Sequence, residues 1–201
     1  YRDKIVLTSK AGIVPWSMQI GRRITAKAAT LVGLPGNASA REGAFSAKEI
    51  TNSVETSLKA LRTDYLDLLL LHECTLADTT SIDTLRVLER LLSAGKIRGH
   101  GIAARPDRTL AILADGRASP AIVQAPADIV GKQLRDYGRA DGRLLITHSA
   151  IGPVLDALRS DRELASRLRS VGIDPDDTSS LVAHLTAHAL STNPDGIVLA
   201  S

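Results

Sequence analysis

The chain has 201 residues, of which 44% are apolar and 23% charged, so it can bury the core of one sizeable domain and is not expected to be disordered. No apolar run approaches the roughly 20 residues needed to cross a bilayer, which argues against a membrane protein. The net charge of +3 comes from scattered arginines and aromatic residues are only 2%, whereas a nucleic-acid binder needs clustered cations and stacking rings. We therefore expect no nucleic-acid or membrane partner.

Cysteine usage limits the chemistry further. The single cysteine, Cys74, excludes an internal disulfide and a multi-cysteine metal site, so we predict no metal. That usage suits a reducing cytoplasm. Residue 1 is Tyr rather than Met and is not expected to be the natural start, and residues 1–4 lead directly into a strand-like run without a signal peptide.

The first third of the chain contains a strand, a long irregular stretch and a helix. Residues 4–9 have the pattern of a strand. Residues 11–45 are rich in Gly, Ala and Pro without a clear period, which indicates either a functional loop or a poorly ordered one. Ser46 and Glu49 form a capping box that begins a helix. Its apolar positions at helical spacing are Ile50, Val54, Leu58 and Leu61.

Apolar runs and helix-like segments then alternate, as in a parallel α/β protein. Strands are predicted at 65–71, 96–103, 121–125, 144–149 and 196–200, and helices at 81–94, 106–116, 153–171 and 178–192. The helix at 81–94 has Leu85, Leu88, Leu91 and Leu92 as its apolar stripe and Gly95 as its C-terminal cap. Six strands without a linker or repeat predict one domain. No G-x-G-x-x-G occurs, so the pattern alone leaves an open sheet and part of a barrel as alternatives.

Two polar residues follow buried strands. Lys10 comes after the first strand, and His72 comes after the run of four leucines at 68–71, which indicates burial on both faces of that strand. Ligands of parallel α/β proteins bind at this edge, where a cation and an imidazole could polarise a carbonyl. On spacing alone we favour a solvent-reaching lysine and a hydrogen-bonded histidine.

A second histidine pair stands at 184 and 188, four residues apart on a predicted helix. Such spacing can bind a metal ion. No glutamate lies between the two in the metalloprotease arrangement, and no third ligand is evident. We interpret the pair as a helix surface feature.

Three longer motifs carry a resemblance to a known family. Residues 57–72 read SLKALRTDYLDLLLLH, residues 91–101 read LLSAGKIRGHG, and residues 122–124 read IVQ. In this order and spacing they resemble the aldo-keto reductases, and the match extends from about residue 4 to the end. The resemblance implies a (β/α)8 TIM barrel of aldo-keto reductase type, with strands three to eight present in residues 1–201. The first two βα units and the C-terminal helix would then be absent.

The resemblance also implies hydride transfer between NADP(H), or less often NAD(H), and an aldehyde, ketone or alcohol. Lys10 and His72 match two of the family's four catalytic residues. The lysine lowers the pKa of a catalytic tyrosine, and the histidine positions the carbonyl. The tyrosine and an aspartate that orients the lysine find no match, since Tyr1 and Tyr65 fall at the wrong ends of strands and Tyr137 lies further along.

Cofactor positions are matched in part. The resemblance assigns the nicotinamide carboxamide to Gln124, a stacking role to His148 followed by Ser149, and the start of the phosphate-binding region to Ser201. Where the family has Ser-Asn after a strand, this chain has Ala103-Ala104, which offers no side-chain hydrogen bonds. Two later positions, usually Tyr and Asn, hold Ala127 and Asp128.

The leading hypothesis is an aldo-keto reductase that reduces aldehydes or ketones to alcohols, or the reverse. The alternative is a catalytically weak or inactive binding or regulatory module on the same scaffold, which the two alanines favour. A third reading is a complete, non-barrel α/β protein. The sequence predicts no particular substrate, reaction direction or oligomeric state.

Overall fold

A computed structural model describes residues 1–13, 42–126, 137 and 142–199. The chain divides into two compact units, Tyr1–Ala104 and Arg105–Ser201, and each is described by itself.

The first unit is a parallel sheet with helices. In chain order its elements are a 3-10 turn at Arg2–Lys4, β1 (Thr8–Ala11), α1 (Ala47–Leu61), β2 (Leu66–His72), α2 (Leu76–Thr80), α3 (Ile82–Ser93) and β3 (Ile97–Ala103). Strand β2 pairs with β1 on one side and with β3 on the other. Parallel neighbours joined through helices are βα units, as the alternation in the sequence predicts.

Helix α1 begins where the capping box predicts. The Ser46 side chain accepts from the backbone N–H of Glu49, and the Glu49 side chain accepts in return from the backbone of Ser46. Ile50, Val54 and Leu58 are buried, whereas Leu61 is 47% exposed, so the predicted stripe ends one turn early. The reason is that the helix ends there, with Arg62 in the left-handed conformation.

Strand β2 is buried on both faces, as its four leucines predict. Leu69, Leu70 and Leu71 are all at most 3% exposed although neighbours point to opposite faces. Helix α3 has a different stripe from the predicted one. It buries Thr84, Val87, Leu88 and Leu91, while Leu85 and Leu92 are exposed. Gly95 has a φ of +67°, the left-handed value that a residue after the helix end needs.

The second unit contains the remaining strands. Its elements are α4 (Pro106–Asp115), β4 (Ile122–Pro126), β5 (Leu144–His148), α5 (Gly152–Ser160), α6 (Arg162–Ser170), α7 (Thr178–Thr192) and β6 (Ile197–Val198). Strand β5 pairs in parallel with β4 and with β6. A cluster of Val154, Leu181 and Leu185 packs α5 against α7.

Two predicted boundaries were wrong and one helix was missed. The first strand begins at Thr8, because residues 2–4 form the 3-10 turn. The helix predicted at 153–171 is two helices, since Asp161 leaves the helical conformation and its side chain accepts from the N–H groups of Glu163 and Leu164. Helix α2 was missed although Thr75 and Asp78 form a second capping box. Most of the stretch predicted irregular, 14–41, lies outside the described residues.

In the part of the chain that the structure describes, every helix is too short or too polar to cross a membrane.

Candidate active site

Lys10 and His72 lie on neighbouring strands of the first unit. Lys10 belongs to β1 and is in register with Leu70, and His72 is the last residue of β2, two positions further on. Paired residues in a sheet share a face and side chains alternate along a strand, so Lys10, Leu70 and His72 share one face. The sequence placed Lys10 just after its strand. The structure extends the strand to Ala11 and so includes it.

Helix α1 fixes the position of β1. The Ser53 hydroxyl donates to the carbonyl oxygen of Lys10 at 3.2 Å. One residue earlier, the hydroxyl oxygens of Ser9 and Ser57 are 2.8 Å apart and share a hydrogen bond. Ser53 and Ser57 stand four residues apart on one face of the helix, so the Lys10 carbonyl and the neighbouring Ser9 side chain are held to a single rigid element.

A glycine allows β1 to end close to His72. Gly12 has a φ of +117°, which L side chains rarely adopt, and a Cβ there would lie 2.8 Å from the carbonyl oxygen of His72 and overlap the Phe45 ring. The N–H of Ala44 donates to the carbonyl oxygen of Gly12 at 3.1 Å. Residues 42–45 thus return to the carboxyl end of β1 and cover it with the buried Phe45.

Burial shifts the pKa values of both side chains, and the charge of Lys10 also acts on His72. Partial burial lowers the pKa of Lys10, with the Glu73 carboxylate acting in the opposite direction. Burial also lowers the pKa of His72, and the Lys10 ammonium lowers it further, against the carboxylates of Glu73 and Glu42. A neutral imidazole beside a cation can donate or accept one hydrogen bond to a substrate oxygen.

Glu73 is the residue of this cluster that the sequence prediction missed. It follows His72 with a φ of +56°, and its N–H donates to the carbonyl oxygen of Ala103 at 2.9 Å. Its carboxylate atom Oε2 is buried. An acidic residue directly after a strand-end histidine was the available signal.

In the second unit Gln124 lies in the middle of β4, while His148 ends β5 and Ser149 directly follows it. Gln124 is 7% exposed and in register with Ile146, and His148 is in register with Pro126, so the amide and the imidazole share a face. The His148 Nδ1 lies 2.8 Å from the Ser149 hydroxyl oxygen, with Ser149 in the left-handed region at a φ of +60°.

The other positions that the resemblance compares either lack the family's polar side chains or lie outside the described residues. Ala103 and Ala104 are buried at 5% and 6% exposure, and their methyl groups can neither donate nor accept a hydrogen bond. Ser201, Ala127 and Asp128 lie outside the described residues.

The tyrosines and the histidine pair have surroundings of their own within each unit. Tyr65 lies at the amino end of β2, with the guanidinium groups of Arg2 and Arg98 3.8 and 3.9 Å from its ring centre. Tyr1 is fully exposed, and Tyr137 is buried in the second unit. His184 and His188 are exposed on α7, as interpreted from the sequence. Over the described ranges, no three His, Cys, Asp or Glu side chains gather as a metal site would require.

These features lie at the strand ends where α/β barrel enzymes hold their ligands. Residues 1–167 match the family model described as the Aldo/keto reductase family. The match covers most of the chain, and the chain belongs to that family of oxidoreductases. Its fold is the (β/α)8 barrel type of the family, represented by six strands among the residues that the structure describes.

One curated relative is glyoxal reductase of Bacillus subtilis (strain 168), 29% identical over 150 residues, which are 68% of this chain and 52% of that protein. The chain thus spans about half the length of that relative.

Solved structures of the same fold extend over this chain. An aldo-keto reductase from Bacillus halodurans in its holo form has a TM-score of 0.64 at 21% identity, covering 100% of this chain and 62% of that one. Glycerol dehydrogenase of Gluconobacter oxydans has a TM-score of 0.56 at 19% identity, covering 81% of this chain and 57% of that one. At this identity the structural likeness supports the fold and no finer property.

Proposed function

We propose that this chain is part of an oxidoreductase that interconverts aldehydes or ketones with alcohols, using NADP(H) or NAD(H). The observation that carries the proposal is the placement of Lys10 and His72 on one face at the carboxyl ends of β1 and β2. Family membership supports the reaction class. The proposed partner is a small-molecule carbonyl or alcohol.

The residues of the first unit have roles that follow from their chemistry. His72 would donate a hydrogen bond to the carbonyl oxygen and so orient the substrate. The Lys10 ammonium would stabilise the negative charge that develops on that oxygen, and would lower the pKa of a neighbouring phenol acid if one is supplied. Phe45, packed over Gly12, would help to exclude water from this edge.

The second unit fits one end of a nicotinamide cofactor. The amide of Gln124 is buried and can both donate to and accept from a carboxamide, and the flat His148 imidazole stands on the same face. When bound, the cofactor supplies or accepts the hydride. The apolar pair Ala103 and Ala104 fits less well, and each missing hydrogen bond to the cofactor would cost about 1 kcal/mol of affinity.

We further propose that both units belong to a single cytoplasmic barrel domain, and that this chain supplies strands three to eight of that barrel. Under this proposal Ser201 begins the phosphate-binding region.

The direct test measures binding and turnover. NADPH and NADH are titrated by fluorescence into the purified protein, and turnover is assayed with an aldehyde and ketone panel that includes glyoxal, and with glycerol for oxidation. We expect saturable cofactor binding, and hydride transfer that Lys10→Met and His72→Ala slow by orders of magnitude. The proposal fails if the full-length protein neither binds a nicotinamide nor turns over any member of the panel.

A binding or regulatory module on the same scaffold is the second candidate, and the buried Ala103 and Ala104 favour it. The double variant Ala103→Ser/Ala104→Asn tests it. If the absence of the serine and asparagine side chains is what weakens catalysis, the variant binds the cofactor more tightly and turns over faster. Unchanged affinity would contradict that explanation.

A further inference from the structure

Helix α3 carries apolar side chains on two opposite faces. Its inner face is buried against β3 and the helices α1 and α2. Its outer face exposes Ile82 by 65%, Leu85 by 48% and Leu92 by 36%. With the exposed Glu89 they occupy positions i, i+3, i+7 and i+10, the spacing at which side chains form one row along a helix. We call these four residues the outer stripe.

The outer stripe is more than scattered surface hydrophobicity. Single exposed apolar residues are common on proteins, but a row with alternating steps of three and four residues is the pattern that two helices bury between them. The inner face already holds α3 on the first unit through Val87, Leu88 and Leu91. The apolar residues of the outer stripe therefore add nothing to that packing and are available to a second surface.

Two charged side chains accompany the apolar residues, Glu89 within the stripe and Arg86 one turn before it. Both are exposed, and among the residues that the structure describes neither has an ion-pair partner. On α6, by contrast, the exposed Glu163 and Arg167 pair at 2.5 Å. An acid that precedes a base pairs better along a helix than the reverse order, and on α3 the base comes first. Both charges are thus free to meet opposite charges on another molecule.

We propose that the outer stripe is a self-association surface, on which a second copy of this chain packs its α3 antiparallel about a twofold axis. In that arrangement Ile82 lies against Leu92 of the second copy, and Arg86 lies next to Glu89 of the second copy. The twofold axis repeats each of these contacts, so every apolar end meets an apolar end and each charge meets its opposite. This self-complementarity is what identifies the occupant as a second copy.

The size of the stripe sets the strength of the contact. Stable protein interfaces bury about 1,200–2,000 Å² in total, and three apolar side chains on a helix of 12 residues offer less than that. We therefore expect a reversible dimer whose population rises with protein concentration. This association does not depend on the proposed function and can be tested without cofactor or substrate.

The first test measures sedimentation velocity over a range of protein concentrations. The sedimentation coefficient of the wild-type protein should rise toward that of a dimer, and Leu85→Asp should remove the rise because it places a carboxylate in the seam. Val171→Asp is the matched control, since Val171 is also apolar and exposed but lies in the second unit. It should associate as the wild type does. Circular dichroism verifies that each variant is folded.

The second test exchanges the charges and stands even if Leu85→Asp fails to fold. Arg86→Glu gathers carboxylates at the axis and Glu89→Arg gathers guanidinium groups, so each variant alone should be monomeric. An equimolar mixture of the two restores opposite charges across the axis and should form a heterodimer. Wild-type protein that stays monomeric up to its solubility limit overturns the inference, including the case in which another protein covers the stripe. A dimer that persists in all three folded variants overturns it as well.

Discussion

The two ends of the first unit's sheet both hold clusters of charged side chains, but the clusters are built differently. At the amino end, Asp67 accepts from the Leu7 N–H at 2.9 Å and pairs with Arg2 at 2.8 Å and Arg98 at 3.2 Å. Both guanidinium groups also stack on Tyr65. Both guanidinium groups at this end pair with one carboxylate at contact distance, as is typical of a structural cluster.

At the carboxyl end the same two strands hold Lys10 and His72, and burial shifts both pKa values toward the neutral forms. Two residues here have left-handed backbones, Gly12 and Glu73. In barrel folds the amino ends of the strands contribute to stability and the carboxyl ends carry the chemistry. The two clusters differ in their pairing: the amino-end guanidinium groups contact a carboxylate, whereas burial moves the pKa values of Lys10 and His72 toward the neutral forms.

The largest expected effect is on activity. In Lys10→Met the apolar stem is kept and the ammonium is lost, so under the proposed function kcat should fall about 100- to 10,000-fold while the free energy of unfolding changes little. Steady-state kinetics and urea denaturation measure the two quantities. Lys48→Met, at an exposed position of α1, is the control. Wild-type kcat in Lys10→Met would contradict a catalytic role for Lys10.

Next in size is the effect of Gly12→Ala. The added methyl must overlap Phe45 and approach the carbonyl oxygen of His72 to 2.8 Å, at a φ of +117°, so we expect a loss of about 2–4 kcal/mol in unfolding free energy. Gly43→Ala is the matched control, because Gly43 also has a positive φ, +79°, yet has open space at its Cβ. Chemical denaturation compares the two. Equal losses would mean that strain alone, and not the contact with His72, fixes this edge.

Asp67→Asn should break the amino-end cluster without touching the carboxyl end. Leaving Arg2 and the Leu7 N–H with a weaker acceptor should cost about 1–3 kcal/mol of unfolding free energy, whereas kcat of the folded protein should stay at the wild-type value. Asp64→Asn, at an exposed neighbouring position, should change neither the unfolding free energy nor kcat. A fall in kcat with unchanged stability would reverse the roles assigned to the two ends.

The smallest effect concerns pH. Burial of Asp67 raises the pKa of its carboxyl, but the Leu7 N–H and the Arg2 guanidinium outweigh it, so the pKa is lowered overall. A lowered folded-state pKa contributes stability that is present above the unfolded-state value, about 3.9, and is lost as pH falls through the folded-state value. Denaturation at pH 7 and below 4 should show a steeper acid loss in wild-type protein than in Asp67→Asn. Parallel pH curves would contradict this.

Much of the fold is legible in the sequence where local and tertiary preferences agree. The Ser46 capping box begins α1, and the leucines at 68–71 predict a strand buried on both faces. Predictions failed where tertiary contacts decide. Arg2 turns back to pair with Asp67 and donates to the carbonyl oxygen of Tyr65, so the residues around it do not extend the first strand. In α3, Thr84 takes the buried place expected of Leu85.

The sequence predicts the strand-end positions of Lys10 and His72 but not that of Glu73. Strand alternation is a strict geometric rule, so the shared face of Lys10 and His72 follows once their register is known. Glu73 could not be placed in the same way, because a residue after a strand end has no periodicity. The course of the chain at Glu73 depends on a left-handed turn, which glutamate seldom adopts, and on a backbone hydrogen bond to Ala103 on the neighbouring strand.

The central claim of the proposed function is that the carboxyl ends of the strands in each unit bind the cofactor and the substrate, and NMR with NADPH tests it most directly. NADPH is titrated into ¹⁵N-labelled protein, and the chemical shifts of backbone amides are followed at the amino and the carboxyl ends of the strands. The account predicts saturable shifts around Lys10, His72, Gln124 and His148, with Tyr65 and Asp67 unmoved. Shifts confined to the amino ends, or none at saturating NADPH and NADH, would contradict it.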